Sequence, residues 1–166
     1  VERRAGIENA RFLGKMLQGM ADNQIRTAGD YDKVIYDLGK KQIGLTNEIA
    51  AMKQKRTAYA AAAKHLQICR TYKSVWMEYV AKPLNQKTEY FNQHSMELQA
   101  YRTAAAKLEK EGIDQSVEID KVNNLAQSLE RKINDLDKQL RESNLQEQDY
   151  HQERKTLTTI QEDLFE

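Results

Sequence analysis

Lys64-His-Leu-Gln-Ile-Cys-Arg-Thr-Tyr-Lys-Ser-Val-Trp-Met-Glu-Tyr-Val80 holds the chain's only Trp, its only Cys and two of its eight Tyr. The only Pro, Pro83, follows after two residues. It has no amide N–H and restricts the residue before it, so the backbone must leave the helix there. One long helical pattern precedes this stretch and another follows it. It therefore reads as the point where a long helical rod reaches its tip and the chain turns back.

Working back toward the N-terminus, no Pro occurs from about Asp30 to Ala81. Leu45, Ile49, Met52, Tyr59, Ala63 and Leu66 step by alternating fours and threes with Arg56 in the seam, the period of a coiled-coil face. Thr27 followed by Asp30 has the form of a capping box with Asp in place of the usual Glu. The Ala-rich run from Tyr59 to Ala63 has no bulk on any face, so it either admits a close partner helix or simply favours helix formation, the blander and preferred explanation. Before Thr27, Ile7, Phe12, Leu13, Met16, Leu17 and Met20 predict a short amphipathic helix, weakened by Gly6, Gly14 and Gly19.

Working forward, residues 82–112 are more broken. A helical piece around Thr88 to His94 and a second one capped by Ser95 are expected to fold against the Trp76 region. Tyr72, Trp76, Tyr79, Tyr90, Phe91 and Tyr101 would form their small core, and Gly112 would end the second piece. From about Asp114, with Asp114 or Ser116 as N-cap, a second long helix is predicted by Ile119, Val122, Ala126, Leu129, Ile133, Leu136 and Leu140 in heptad steps. The seam then falls on Ser143 and Glu147, with apolar character returning at Tyr150, Leu157 and Leu164, a fade that predicts a looser far end.

The fold class expected is all-α: a long antiparallel two-helix coiled-coil rod, with short helices at the tip and a short N-terminal helix. Its divisions are 1–28, 29–81, 82–112 and 113–166, within one domain. Mean hydropathy of −0.82 and 7% aromatic residues leave too little apolar bulk for a thick core. A first residue that is not Met fits a piece of a longer protein.

The net charge of +1 hides an uneven distribution. Between Lys40 and Lys87 ten Lys or Arg face only Glu48 and Glu78, while from Ile113 onward thirteen Asp or Glu face seven Lys or Arg. On the basic arm Lys53, Lys55, Arg56, Lys64, Arg70 and Lys73, interleaved with Tyr59, Tyr72 and Trp76, are candidates to track a phosphate backbone. The competing and preferred account is internal, with basic and acidic helices paired by flanking ion pairs that set register. Both hold together if they use different faces.

Candidate chemistry is thin. His65, His94 and His151 are far apart, and His65 with Cys69 at i, i+4 lacks a third metal ligand. The Gly residues are scattered, with no phosphate loop, and no Tyr has a His cluster beside it. The expectation is a segment without catalytic, cofactor or metal site and without a small-molecule substrate. One Cys and no apolar run near the ~20 residues of a membrane span place it in the cytoplasm, away from membranes.

A family resemblance adds to this. Ala10-Arg-Phe-Leu13, Asn23-Gln-Ile25 and Thr27, then Ile68-Cys-Arg-Thr-Tyr-Lys-Ser-Val-Trp-Met-Glu-Tyr79, Phe91-Asn-Gln-His94, Glu97-Leu98, Tyr101, Ala104-Ala105 and Leu108 to Ile113 carry it. Over most of its length the chain resembles the C-terminal helical region of relaxases, the mobilisation nucleases of plasmids and conjugative elements of Gram-positive bacteria. The resemblance implies an upstream nuclease domain with a Tyr nucleophile and a His-cluster metal site, which nicks one strand at the transfer origin. Neither part is in this sequence, so no catalytic residue carries over. The implied role is interaction or DNA positioning, with transfer-origin DNA, other mobilisation or secretion proteins, or a second copy in a homodimer as partners. A structural coiled-coil spacer or dimerisation module without nucleic-acid binding is the alternative. Arg70, Tyr72 and Trp76 are the foremost contact candidates, unless the aromatic pair is core.

Overall fold

Thr27 and Asp30 start the first long helix as a reciprocal cap. The Asp30 N–H donates to Thr27 Oγ1 at 3.1 Å, and the Asp30 carboxylate accepts from the N–H groups of Thr27 at 3.0 Å and Arg26 at 2.9 Å. Those two backbone donors hold the Asp30 carboxyl below its ordinary pKa. The computed structural model describes residue 11, residues 13–17 and residues 25–165. Residues 11 and 13–17 are helical, and the rest of the expected N-terminal helix, with the polar segment 21–24, lies outside the described residues.

Four helices follow: α1 Ala28–Ala81, α2 Leu84–Gln93, α3 Ser95–Lys110 and α4 Ile119–Phe165. There are no strands among the described residues, so the all-helical, coiled-coil-like expectation holds. Pro83 forms the N-cap of α2 at φ −59°, which makes that helix start at Leu84, four residues before the expected Thr88. His94, at φ −125°, breaks the chain between α2 and α3, and Ser95 is the first helical residue of α3, not its cap.

At the end of α3, Gly112 sits at φ +69°. Its N–H donates to Glu109 O at 3.0 Å and that of Ile113 to Leu108 O at 2.9 Å, while the side chains of Leu108 and Ile113 share one apolar cluster. This closes the orphan carbonyls of the helix end in a Schellman motif, which requires the left-handed conformation at Gly112. Asp114 accepts the Ser116 N–H at 2.8 Å, which lowers its pKa. That bond closes a turn, not a helix, so neither Asp114 nor Ser116 caps α4, which begins at Ile119.

Glycines on this fold separate into two kinds. A Cβ at Gly39, inside α1, meets nothing within 4 Å at an ordinary φ, whereas one at Gly112 is strained by its positive φ. Gly39→Ala is expected to raise stability by about 0.5–1 kcal/mol and Gly112→Ala to lower it by about 1–2 kcal/mol. Opposite shifts of the thermal midpoint by circular dichroism check this.

The chain forms two packing units, residues 1–48 with 136–166 and residues 49–135, and both α1 and α4 contribute to each. In the first unit, Ile25, Tyr31, Leu38 and Tyr150 form the core, with Val34, Ile35 and Leu157 against it. Tyr31 and Tyr150 meet with ring centroids 6.1 Å apart at 60°. Gln42 Nε2 donates to Glu147 at 2.9 Å and Arg154 Nε donates to Asp32 at 2.7 Å. Pair numbers rise on one helix as they fall on the other, so α1 and α4 run antiparallel here.

The α4 seam does not fade after Leu140. Ser143 is only 3% exposed, Glu147 is half-buried and Tyr150 is buried, all on the same alternation of threes and fours. Between Leu140 and Tyr150 the seam thus continues as a polar layer, while residues 159–164 at the far end are exposed. Gln42 and Glu147 bond to each other across the seam, and such a layer fixes register where an apolar one would allow slip.

Glu153 lies at this core as well. Burial pushes its carboxyl up from the ordinary 4.5, and the neighbouring Tyr31 hydroxyl titrates upward too, through burial and the charge of Glu153. A carboxyl raised in the fold gives stability that is full below its unfolded pKa and lost as pH rises through its folded pKa. Glu153→Gln removes that loss. Its thermal midpoint is expected to exceed that of the parent at pH 7, with the gap narrowing toward pH 4.

Candidate interaction surface

The second unit is built on an apolar cluster of Ala62, Ala63, Leu66, Cys69, Tyr101, Ala104, Leu108 and Val122. Small residues on α1 and α3 stand in this cluster together. The alanine run therefore serves packing as well as helix propensity, with Ala62 1% and Ala104 2% exposed. Tyr59, Ile68, Tyr72 and Trp76 pack on its edge.

Trp76 stacks on Tyr101 at 5.0 Å and 19° and touches Tyr79 at 5.6 Å, while Tyr79 meets Tyr90 and Phe91 at 6.4 and 6.0 Å. Trp76, Tyr79, Tyr90, Phe91 and Tyr101 thus form one ladder that holds α1, α2 and α3 together. Cations lie on its rings: Arg102 over Trp76 and Phe91, Lys87 over Tyr79 and Lys82 over Tyr90. Tyr90 donates its hydroxyl to Glu78 at 3.0 Å, and burial with that carboxylate raises its pKa.

The eight basic and aromatic candidates do not form one surface. Tyr72 and Trp76 are half-buried, with their rings used inside the unit. Arg56 is half-buried and pairs with Glu130 of α4 at 3.4 Å. Arg70 reaches 47 residues along the chain to donate to Val117 O at 2.7 Å, tying down the segment before α4. Lys73 is exposed and close enough to Asp114 to lower that carboxyl's pKa further.

Lys53, Lys55 and Lys64 are exposed. Lys53 and Lys64 are eleven residues apart, about three turns, and share one side of α1, whereas Lys55 points elsewhere. Arg56 pairs with a carboxylate of α4, whereas Arg70 is held by a backbone carbonyl and not by an acidic side chain. In this unit Arg56 meets Glu130 of α4, while Leu66, further along α1, shares its cluster with Val122, earlier on α4, so the two helices run antiparallel here too.

Lys64 also lines an open groove of about 410 Å³ between α1 and α3, together with His65, Ile68, Ala100, Ala104 and Lys107. The sequence reading missed Lys107. Its position is legible only once α1 and α3 are known to run antiparallel over their alanines. His65 Nδ1 is buried without a hydrogen-bond partner. Cys69 is 2% exposed, and burial raises its thiol pKa, so it is a poor thiolate ligand beside His65. Among the described residues no three His, Cys, Asp or Glu converge on a metal position. No helix among them is long and apolar enough to cross a membrane.

No protein-family model, curated protein or solved structure matches the chain.

Proposed function

We propose that this chain is a non-catalytic helical interaction domain, the DNA-positioning part of a cytoplasmic relaxase that takes part in conjugative DNA mobilisation. One observation carries the DNA part. Residues 49–77 of α1 hold six Lys or Arg and no Asp or Glu, on a helix anchored by the buried alanine and leucine face. Arg56 and Arg70 are engaged inside the unit, but Lys53, Lys55 and Lys64 are exposed and can release counterions when they meet phosphates. The relaxase assignment rests on the resemblance of the Arg70 to Leu98 block.

The test is fluorescence anisotropy with labelled single-stranded and duplex oligonucleotides from about 50 to about 200 mM salt. Binding that falls steeply with salt, and that weakens at least about tenfold in Lys53→Glu/Lys55→Glu/Lys64→Glu, is the expected result. Those three lysines are exposed, so the reversal leaves the core intact. Absence of binding at the lowest salt removes the DNA role.

A second reading, a spacer or dimerisation coiled coil, is favoured by the Gln42–Glu147 and Arg56–Glu130 contacts, which set register. Such pairs contribute about 0–1 kcal/mol each, so they specify pairing more than they stabilise it. The same titration separates the two readings.

A further inference from the structure

We propose that the groove between α1 and α3 receives the acidic end of α4 from a second copy of this chain. At one end of the groove Lys64 of α1 and Lys107 of α3 stand on opposite walls; its floor is Ile68, Ala100 and Ala104, and Met96, 75% exposed, lies at the other end. No carboxylate lines it. A matching ligand has an anion beside a short apolar ridge.

The far end of α4 presents that combination. Ile160 and Leu164 are 37% and 77% exposed at i, i+4 spacing, which puts them on one side of the helix. Asp163 lies beside Leu164 and one turn from Ile160 on that side, and it is exposed without an ion-pair partner among the described residues. The surroundings carry the same sign, since from Glu142 to Glu166 there are seven Asp or Glu against Arg154 and Lys155.

Laid in the groove, Ile160 and Leu164 cover the alanine floor, and the Asp163 carboxylate falls between the two ammonium groups. Burial of the exposed apolar side chains supplies the attraction, and the charges supply direction. The contact joins two different surfaces, so it builds oligomers that grow with concentration. It does not depend on the DNA reading, because no nucleic acid takes part, although Lys64 belongs to both surfaces.

Sedimentation velocity over a concentration series at low salt, without nucleic acid, tests this. The full chain is expected to self-associate. Lys64→Glu/Lys107→Glu and Asp163→Lys are each expected to weaken that association by about tenfold or more. A mixture of the two variants restores it, because the reversed charges again oppose each other. Circular dichroism checks that both variants keep their helix content, as exposed positions should. The proposal is overturned if the parent chain stays monomeric throughout, if either variant associates as the parent does, or if the mixture fails to recover.

Discussion

Replacing Leu66 by Ala is expected to destabilise the second unit by about 3–4 kcal/mol and to lower its thermal midpoint by on the order of 10 °C. Leu66 is 0% exposed at the centre of the cluster where α1, α3 and α4 meet. The surrounding alanines, already minimal in size, cannot swing in to refill the space, so most of the cavity persists. Trp76, the only Trp, packs on this cluster, which makes its fluorescence a local reporter. A midpoint within a degree or two of the parent would mean that the α1–α3 packing is not what holds this unit.

The first unit has its own anchor. Tyr31→Ala is expected to cost about 3–4 kcal/mol, because the ring is 0% exposed and fills the space between α1 and Tyr150 of α4. Tyr31→Phe keeps the ring and removes a buried hydroxyl that has no well-formed hydrogen bond, so its change should stay within about 1 kcal/mol. Circular dichroism melts of both variants measure the contrast. Equal losses would place the stabilisation in the hydroxyl, against this account.

Much of the backbone could be read from local chemistry. The Thr27–Asp30 cap, the break at Pro83 and the stop at Gly112 each follow from what one residue type can or cannot do with its own backbone, and each was legible without tertiary information. The seam of α1 from Leu45 to Leu66 was legible because its side chains are apolar or small. Its extension to Tyr31, and the α4 seam through Ser143 and Glu147, were not. A seam read only from apolar residues appears to end where a polar layer begins, although the helix face goes on being buried.

The candidate surface was less legible for a related reason. Sequence shows that a residue is cationic, not whether its charge is already engaged. Arg56 and Lys53 look alike in the sequence, yet one pairs with Glu130 and the other is exposed. The hold of Arg70 on the Val117 carbonyl depends on a contact 47 residues distant, which no local pattern encodes. Trp76 and Tyr72 stand out in the sequence, and in the structure both pack against the core of the second unit.

The antiparallel register of α1 and α4 underlies all of this, and cross-linking tests it most directly. In a Cys69→Ala background, Gln42→Cys/Glu147→Cys places two thiols where the structure has a 2.9 Å side-chain contact. Gln42→Cys/Glu162→Cys moves one of them fifteen residues, roughly 22 Å, along α4. A short bismaleimide is expected to link the first pair rapidly within a single chain and to leave the second unlinked. Efficient linking of the second pair, or none of the first, would contradict the pairing described here.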